Sequence, residues 1–180
     1  GVGYVAGFYH NYRVKNRLSL GVDFSTQPQY DYSAWLGISK AKEIIFSRFD
    51  RNTVESMFDA TYTFNSNMGI MIRGRHYWSN RNNKAYYFLR DDGELQDHDG
   101  AEFKGTHTNY NVFNIDLVYS WRFSPGSELS VSYKNLSQEM ESENRPGYFR
   151  NFDRVTAIAQ NNNISLKILY YVDYLQLIKR

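Results

Sequence analysis

Tyr110–Leu136 reads YNVFNIDLVYSWRFSPGSELSVSYKNL, and its pattern decides the fold class. Phe113, Ile115, Leu117, Tyr119, Trp121 and Phe123 alternate with the mostly polar Asn114, Asp116, Ser120 and Arg122. Period two sustained over that length predicts a β-strand with one apolar face. After Ser124, Pro125 and Gly126 the alternation resumes, with Leu129, Val131 and Tyr133 on one face and Glu128, Ser130, Ser132 and Lys134 on the other. A three-residue loop with Gly126 in the left-handed conformation closes the hairpin. In that register Arg122 faces Glu128 and Asp116 faces Lys134, while Trp121 meets Leu129 and Tyr119 meets Val131 on the other face. Charge pairs and apolar pairs therefore separate cleanly across the strands.

The same logic recurs outward from this hairpin. Near the start, Tyr4, Ala6, Phe8 and Tyr12 form an apolar set, a three-residue turn falls at Val14, Lys15 and Asn16 with Asn16 left-handed, and Leu18, Leu20, Val22 and Phe24 continue the face. A loop is expected at Gln27–Tyr32. Residues 33–49 carry two short apolar runs, Ala34-Trp35-Leu36 and Ile44-Ile45-Phe46, which read either as two further spans or as a hairpin inside one long loop. Val54, Phe58, Ala60, Tyr62 and Phe64 lead into a turn at Asn65, Ser66 and Asn67, and a strand returns from Met68 to Trp78. That register places Asp59 opposite Arg73, Ala60 opposite Ile72 and Tyr62 opposite Ile70. Polar segments at 80–109 and 139–163 are expected to be long loops. The last strand carries Ile164, Leu166, Ile168, Tyr170, Val172 and Tyr174 on its apolar face.

Short turns alternating with long loops, spans of about ten residues, and aromatics gathered at span ends (Tyr12, Phe64, Trp121 and Phe123 near the turns, Trp78 and Tyr110 far from them) predict an all-β antiparallel transmembrane barrel. A soluble antiparallel barrel or sandwich would have the same alternation with its apolar face turned inward. The composition accords with a membrane barrel: 16 Tyr, 12 Phe, three Pro and no Cys in 180 residues, with a formal charge of +2. The absence of Cys removes disulfides and thiolate metal sites, and the near-neutral charge gives no basic field for nucleic acid. No apolar run reaches the roughly 18 residues of a transmembrane helix, and a negative mean hydropathy is compatible with a barrel whose other face is polar. Strand counting gives seven or nine, so the first and last strands run the same way. Single-chain bacterial barrels have even strand numbers, which leads to the expectation that these are the C-terminal strands of a larger barrel whose other strands lie upstream.

Several phrases carry a family resemblance: Ile45-Phe46-Ser47-Arg48-Phe49-Asp50-Arg51-Asn52-Thr53-Val54, Tyr62-Thr63-Phe64-Asn65, Arg75-His76-Tyr77-Trp78-Ser79, Phe113 to Trp121, Ser124 to Leu129, and Ser165 to Tyr171. Together they resemble the C-terminal barrel region of domain-of-unknown-function family 5916, outer-membrane proteins of Bacteroidota. The resemblance implies a Gram-negative outer membrane as the location. Full-length members often carry an N-terminal domain similar to a family-9 carbohydrate-binding module, and no residue of this chain inherits sugar binding from it. Leu175–Arg180 follows Tyr174, a departure from the terminal aromatic common in barrel assembly signals.

Candidate site residues fall into three groups. The polar row Asp23, Glu55, Asp59, Arg73, Arg75, Asp116, Arg122, Glu128, Lys134, Lys167 and Asp173 is expected to face the lumen, where mixed charges satisfy one another; a solute pathway or acid/base work by Glu55 and Asp59 are the functional alternatives. Tyr86, Tyr87, Phe88, Tyr148, Phe149 and Phe152 are expected in the long loops as partner-contacting aromatics. The acidic stretch 91–102 offers a weak Ca²⁺ candidate in Asp97, Asp99 and Glu102, with Leu95 where an EF-hand would need a further ligand. No G-x-S-x-G turn and no phosphate-cradling Gly-rich loop is present, so no catalytic residue and no cofactor is assigned. The expected role is a membrane scaffold or partner-binding component of an outer-membrane assembly, in contact with outer-membrane lipid and lipopolysaccharide and with other outer-membrane proteins as candidate partners. A solute or carbohydrate-uptake pore is the alternative, and an outer-membrane hydrolase with its site outside this segment is a third.

Overall fold

The computed structural model describes residues 1–103, 105–172 and 174. Asp173 and the Leu175–Arg180 tail lie outside the described residues. The elements in chain order are β1 (Val2–Gly3), β2 (Ala6–Val14), β3 (Leu18–Ile38), β4 (Ile44–Asn65), β5 (Met68–Leu89), β6 (Leu95–His98), a 3-10 turn (Ala101–Phe103), β7 (Thr108–Ser124), β8 (Ser127–Glu141), α1 (Tyr148–Ala157) and β9 (Asn161–Leu169). They form one antiparallel sheet in the order β1-β3-β4-β5-β7-β8-β9, with β2 also on β3 and β6 also on β5. Among the described residues β2 and β9 do not pair with each other; they run in the same direction at opposite edges.

The strand pairs fall where charge and hydropathy put them. Asp59 pairs with Arg73, Ala60 with Ile72 and Tyr62 with Ile70; Asp116 pairs with Lys134, Trp121 with Leu129 and Tyr119 with Val131. The turns differ in detail. Ser124 pairs with Ser127 across Pro125-Gly126, and Asn65 with Met68 across Ser66-Asn67, so both loops hold two residues, with an irregularity in the preceding strand that absorbs the difference. At 124–127 the reason is proline chemistry. Pro125 is suited to the first central position of a turn, but at the second it would drive its predecessor out of the α region. Gly126 follows with φ +73°, as a Pro-Gly turn of type II requires. In the first hairpin Val14 pairs with Leu18, and Lys15 rather than Asn16 takes the left-handed φ of 53°.

The strands are longer than the sequence pattern suggests. Residues 27–32 are not a loop: β3 runs through them with a register shift between Gln29 and Tyr32, where Asp31 has φ 55°. Residues 33–49 are neither two spans nor an isolated hairpin but the far ends of β3 and β4, joined at 39–43. The segment 80–109 contains the end of β5, all of β6 and the 3-10 turn, and 139–163 contains the end of β8, helix α1 and the start of β9. The last strand stops at Leu169, short of Tyr170. At 21 to 22 residues, β3, β4 and β5 extend roughly 70 Å at the usual strand rise.

Pairing defines rows across the sheet. On one face, from the turns upward, run Met68–Trp121–Leu129–Ile168, then Leu18–Tyr62–Ile70–Tyr119–Val131–Leu166, Leu20–Ala60–Ile72–Leu117–Tyr133–Ile164, Val22–Phe58–Gly74–Ile115–Asn135, and Phe24–Ser56–His76–Phe113–Ser137. These rows are almost wholly apolar until the last, and among the described residues no second layer covers the lower ones: Phe58 is 48% exposed, Leu166 63% and Ile164 75%. The buried apolar side chains among the described residues are Ile45, Phe49, Val54, Trp78 and Val155, all in the upper half or on α1.

Candidate functional site

The alternation that builds the apolar rows places Asp23, Glu55, Asp59, Arg73, Arg75, Asp116, Lys134 and Lys167 together on the opposite face. Arg75 Nη2 lies 3.6 Å from Asp116 Oδ2, diagonal to the register partner, and Asn114 Nδ2 donates to the same oxygen at 3.2 Å. Asp59 lies across Gly21, so closely that a Cβ there would come within 2.5 Å of its Oδ1. Asp23, Glu55, Arg75 and Asn114 line a pocket of about 230 Å³, and Arg122 and Glu128, with Thr61, Thr63 and Ser120, line a trough of about 400 Å³ at the turn end. Glu55 and Asp59 are opposed to Tyr77 and Arg73 respectively. Among the described residues neither has a hydroxyl nucleophile hydrogen-bonded to it.

Above the apolar rows the same sheet face changes character. The next rows hold Trp78–Asn111–Glu139 and Asn80–Asn109–Glu141, and α1 lies across them. Its contact residues Tyr148, Asn151, Phe152 and Val155 have the i, i+3, i+4, i+7 spacing of one helix face. Asn151 and Val155 are fully buried. Asn109 Nδ2 donates to Asn151 Oδ1 at 2.8 Å, Asn111 Nδ2 donates to Asn151 O at 2.6 Å, and Trp78 Nε1 donates to Asn109 Oδ1 at 2.8 Å. Tyr148 bonds Ser56 through its hydroxyl and packs on the rings of His76 and Trp78, and Phe152 packs edge-on to His76 and Phe113. At the other end Arg154 holds Glu139 at 2.6 and 2.7 Å and also bonds Glu141. The Arg154 hydrogen bond, working against burial, holds the Glu139 carboxyl below its usual range, and Arg154 is raised in return. From β4 to β8, α1 thus crosses the strands instead of following them.

The opposite face at this end is closed by the segment after β6. Tyr86 stacks on Phe103 and donates to its carbonyl at 3.1 Å, while Asn83 Nδ2 donates to Thr106 O at 2.9 Å. Phe49 is buried under Arg81, whose guanidinium carbon is 3.9 Å from the ring centre. Lys84 Nζ bridges Asp50 at 2.6 Å and Asp31 at 3.3 Å. Burial works to raise the Asp50 carboxyl, but the hydrogen bonds from Lys84 and from the Asp31 N–H outweigh it and leave it below the usual value.

Three sequence expectations are revised by these placements. Tyr86, Tyr87 and Phe88 are on strand β5 and Tyr148, Phe149 and Phe152 on α1, so none is a loop residue; Tyr148 and Phe152 are packed against the sheet and only Phe149, 78% exposed, is largely free. Asp97, Asp99 and Glu102 do not converge: Asp99 accepts from the Ala101 N–H at 3.0 Å and Glu102 from the Lys40 N–H at 3.3 Å, and no metal-holding group of three His, Asp or Glu occurs among the described residues. Arg122 and Glu128 flank the irregularity at the turn and are not register partners. Sequence reasoning missed α1 and the buried Asn109, Asn111, Asn151 and His76. The signals were present: Pro146-Gly147 ahead of a helical apolar spacing, and Asn at apolar-face positions of β7.

These features sit on a sheet that the family model matches from residue 2 to residue 180. The chain belongs to the family of unknown function DUF5916. Comparison with curated proteins and with solved structures finds no match. Within the DUF5916 chain, no helix among the described residues is long and apolar enough to cross a membrane.

Proposed function

We propose that the chain supplies consecutive strands of an outer-membrane β-barrel that acts as a scaffold or partner-binding component of a membrane assembly. The observation that carries this reading is the uncovered apolar face. In water, monomeric proteins rarely expose an apolar patch beyond a few hundred Å², whereas lipid is the natural cover for such a face on a strand-built wall. The dimensions agree. Met68–His76 is about 30 Å of strand, which at ordinary barrel tilt crosses an apolar band roughly 25 Å tall. The mixed charges of the other face then line the lumen. Because β2 and β9 run in the same direction, these strands close as an antiparallel barrel only with further strands between them.

The upper half of β3 stands clear of the band and presents Tyr30, Trp35 and Ile38, which are exposed large side chains suited to a partner protein. The test is density fractionation of native membranes, followed by mild detergent extraction and planar-bilayer recording of the purified protein. A barrel scaffold fractionates with the outer membrane, needs detergent to stay monodisperse and gives no conductance. A protein soluble without detergent overturns the membrane reading, and reproducible conductance altered by Arg75→Ala replaces the scaffold with a pore.

A further inference from the structure

Gly74 is the single gap in the apolar column of β5, between Ile72 and His76, and its row neighbours are Phe58 and Ile115. A Cβ at Gly74 would meet nothing within 4 Å. Around this gap opens a groove of about 450 Å³, walled by Val22, Phe24, Phe58 and Phe113 and bounded on the helix side by Phe152. Glycine within a strand weakens it relative to alanine, and besides bulges and bends it marks places where a ligand approaches the backbone closely. The groove size falls within the roughly 300–1,000 Å³ of small-molecule sites.

A second observation concerns His76, which lines the groove and is 2% exposed. Asn111 donates its amide N–H to Asn151 O, so its Oδ1 is the acceptor facing His76 Nε2 at 2.7 Å, and that nitrogen carries the ring proton. Nδ1 is left as a buried acceptor without a partner. A buried acceptor of this kind destabilises the fold unless a donor reaches it.

We propose that this groove holds one acyl chain of a membrane lipid, lodged beneath α1 against Gly74. The inference rests on the membrane reading of the apolar face, because the groove is continuous with the rows that reading assigns to lipid. The location favours a chain over a protein segment: α1 crosses the strands at the upper limit of the apolar rows, with Phe152 lining the groove. In a barrel, that position is the level at which lipid chains meet their headgroups. An apolar groove of this size accepts apolar guests.

The test compares the wild-type protein with Gly74→Leu, which fills the gap without backbone strain, and with Val118→Leu on the polar face as a control. Each is incubated with palmitoyl-oleoyl-phosphatidylethanolamine in mixed detergent micelles, exchanged into lipid-free detergent and weighed by native mass spectrometry. Insertion into vesicles of the same lipid is followed in parallel. The wild type and Val118→Leu retain one lipid per chain, and Gly74→Leu loses retention at least tenfold while still inserting. Equal retention by Gly74→Leu, or an inserted wild type that retains no lipid, overturns the inference and leaves the membrane reading standing. Failure of the wild type to insert overturns both. A doubling of mass that Gly74→Leu abolishes would show a second copy in the groove and also overturns the inference.

Discussion

Ile72→Arg is the substitution whose cost separates lipid from water most sharply. Ile72 lies in the third of the five rows between the turns and α1, between Ala60 and Leu117, which puts it near the middle of the band. An Arg on the lipid face at mid-depth of a barrel costs about 2–4 kcal/mol, or roughly 30-fold to 700-fold in the folding equilibrium. On a water-facing surface the same change stays within about 0.5 kcal/mol. Met71→Arg is the internal control, because Met71 pairs with Thr61 and Val118 on the polar face at the same depth. The assay is equilibrium urea unfolding in phospholipid vesicles, read by the mobility difference between folded and unfolded barrels on gels. The expected result is a loss of at least 2 kcal/mol for Ile72→Arg and under about 1 kcal/mol for Met71→Arg. Equal costs, or a loss under about 0.5 kcal/mol for Ile72→Arg, would refute the assignment of the apolar face to lipid.

Three further outcomes follow from the geometry. Asn151→Ala removes the acceptor of the Asn109 amide and the donor to Arg145 O and Gly147 O, so α1 loses about 1–3 kcal/mol of docking; amide exchange across 148–157 should accelerate roughly tenfold or more while β4 and β5 keep their protection. Glu139 has its folded-state pKa lowered by Arg154, so the pair stabilises the folded state above the ordinary carboxyl value of 4.5 and that contribution disappears as the pH falls through the lower folded value. Protease release of α1 should therefore rise on acidification below about pH 4.5, and Glu139→Gln should expose α1 at neutral pH and flatten the dependence. Gly126→Ala places a Cβ at φ +73° and 2.9 Å from Tyr171 Cβ, at a cost of about 1–2 kcal/mol in the left-handed region; an unchanged urea midpoint would contradict the turn assignment.

Much of the sheet was legible because two independent patterns agree within it. Period-two alternation sets which side chains share a face, and opposite charges such as Asp59 with Arg73 and Asp116 with Lys134 fix the register. The turns were harder, since a two-residue loop with a displaced residue beside it gives the same pairing further along the strands as a three-residue loop. Pro125 at the first central position was the clue that distinguished them. The upper halves of β3 and β5 were hidden by register shifts, at Gln29/Tyr32 in β3 and at Lys84 in β5 opposite Arg48/Phe49, because each extra residue reverses the parity of alternation of its own strand and breaks it into two apparent short runs. Helix α1 was hidden because the centre of its docking face is Asn151, a polar residue satisfied by Asn109 and Asn111 of the sheet and not by water. Of the charged row, the sequence told which residues share a face; it could not tell that Arg75 would reach diagonally to Asp116, which depends on side-chain reach across the twisted sheet.

The central claim is that the lower rows of the sheet meet lipid on one side and water on the other. The chain has no Cys, so single cysteines at each position from 68 to 78 can carry a nitroxide in vesicle-reconstituted protein without background labelling. Collision with oxygen should dominate at 70, 72 and 74 and collision with a water-soluble nickel chelate at 69, 71 and 73, and the alternation should fade at 76–78 where α1 covers the strand. Nickel access at 70, 72 and 74 equal to that at their neighbours would contradict that claim.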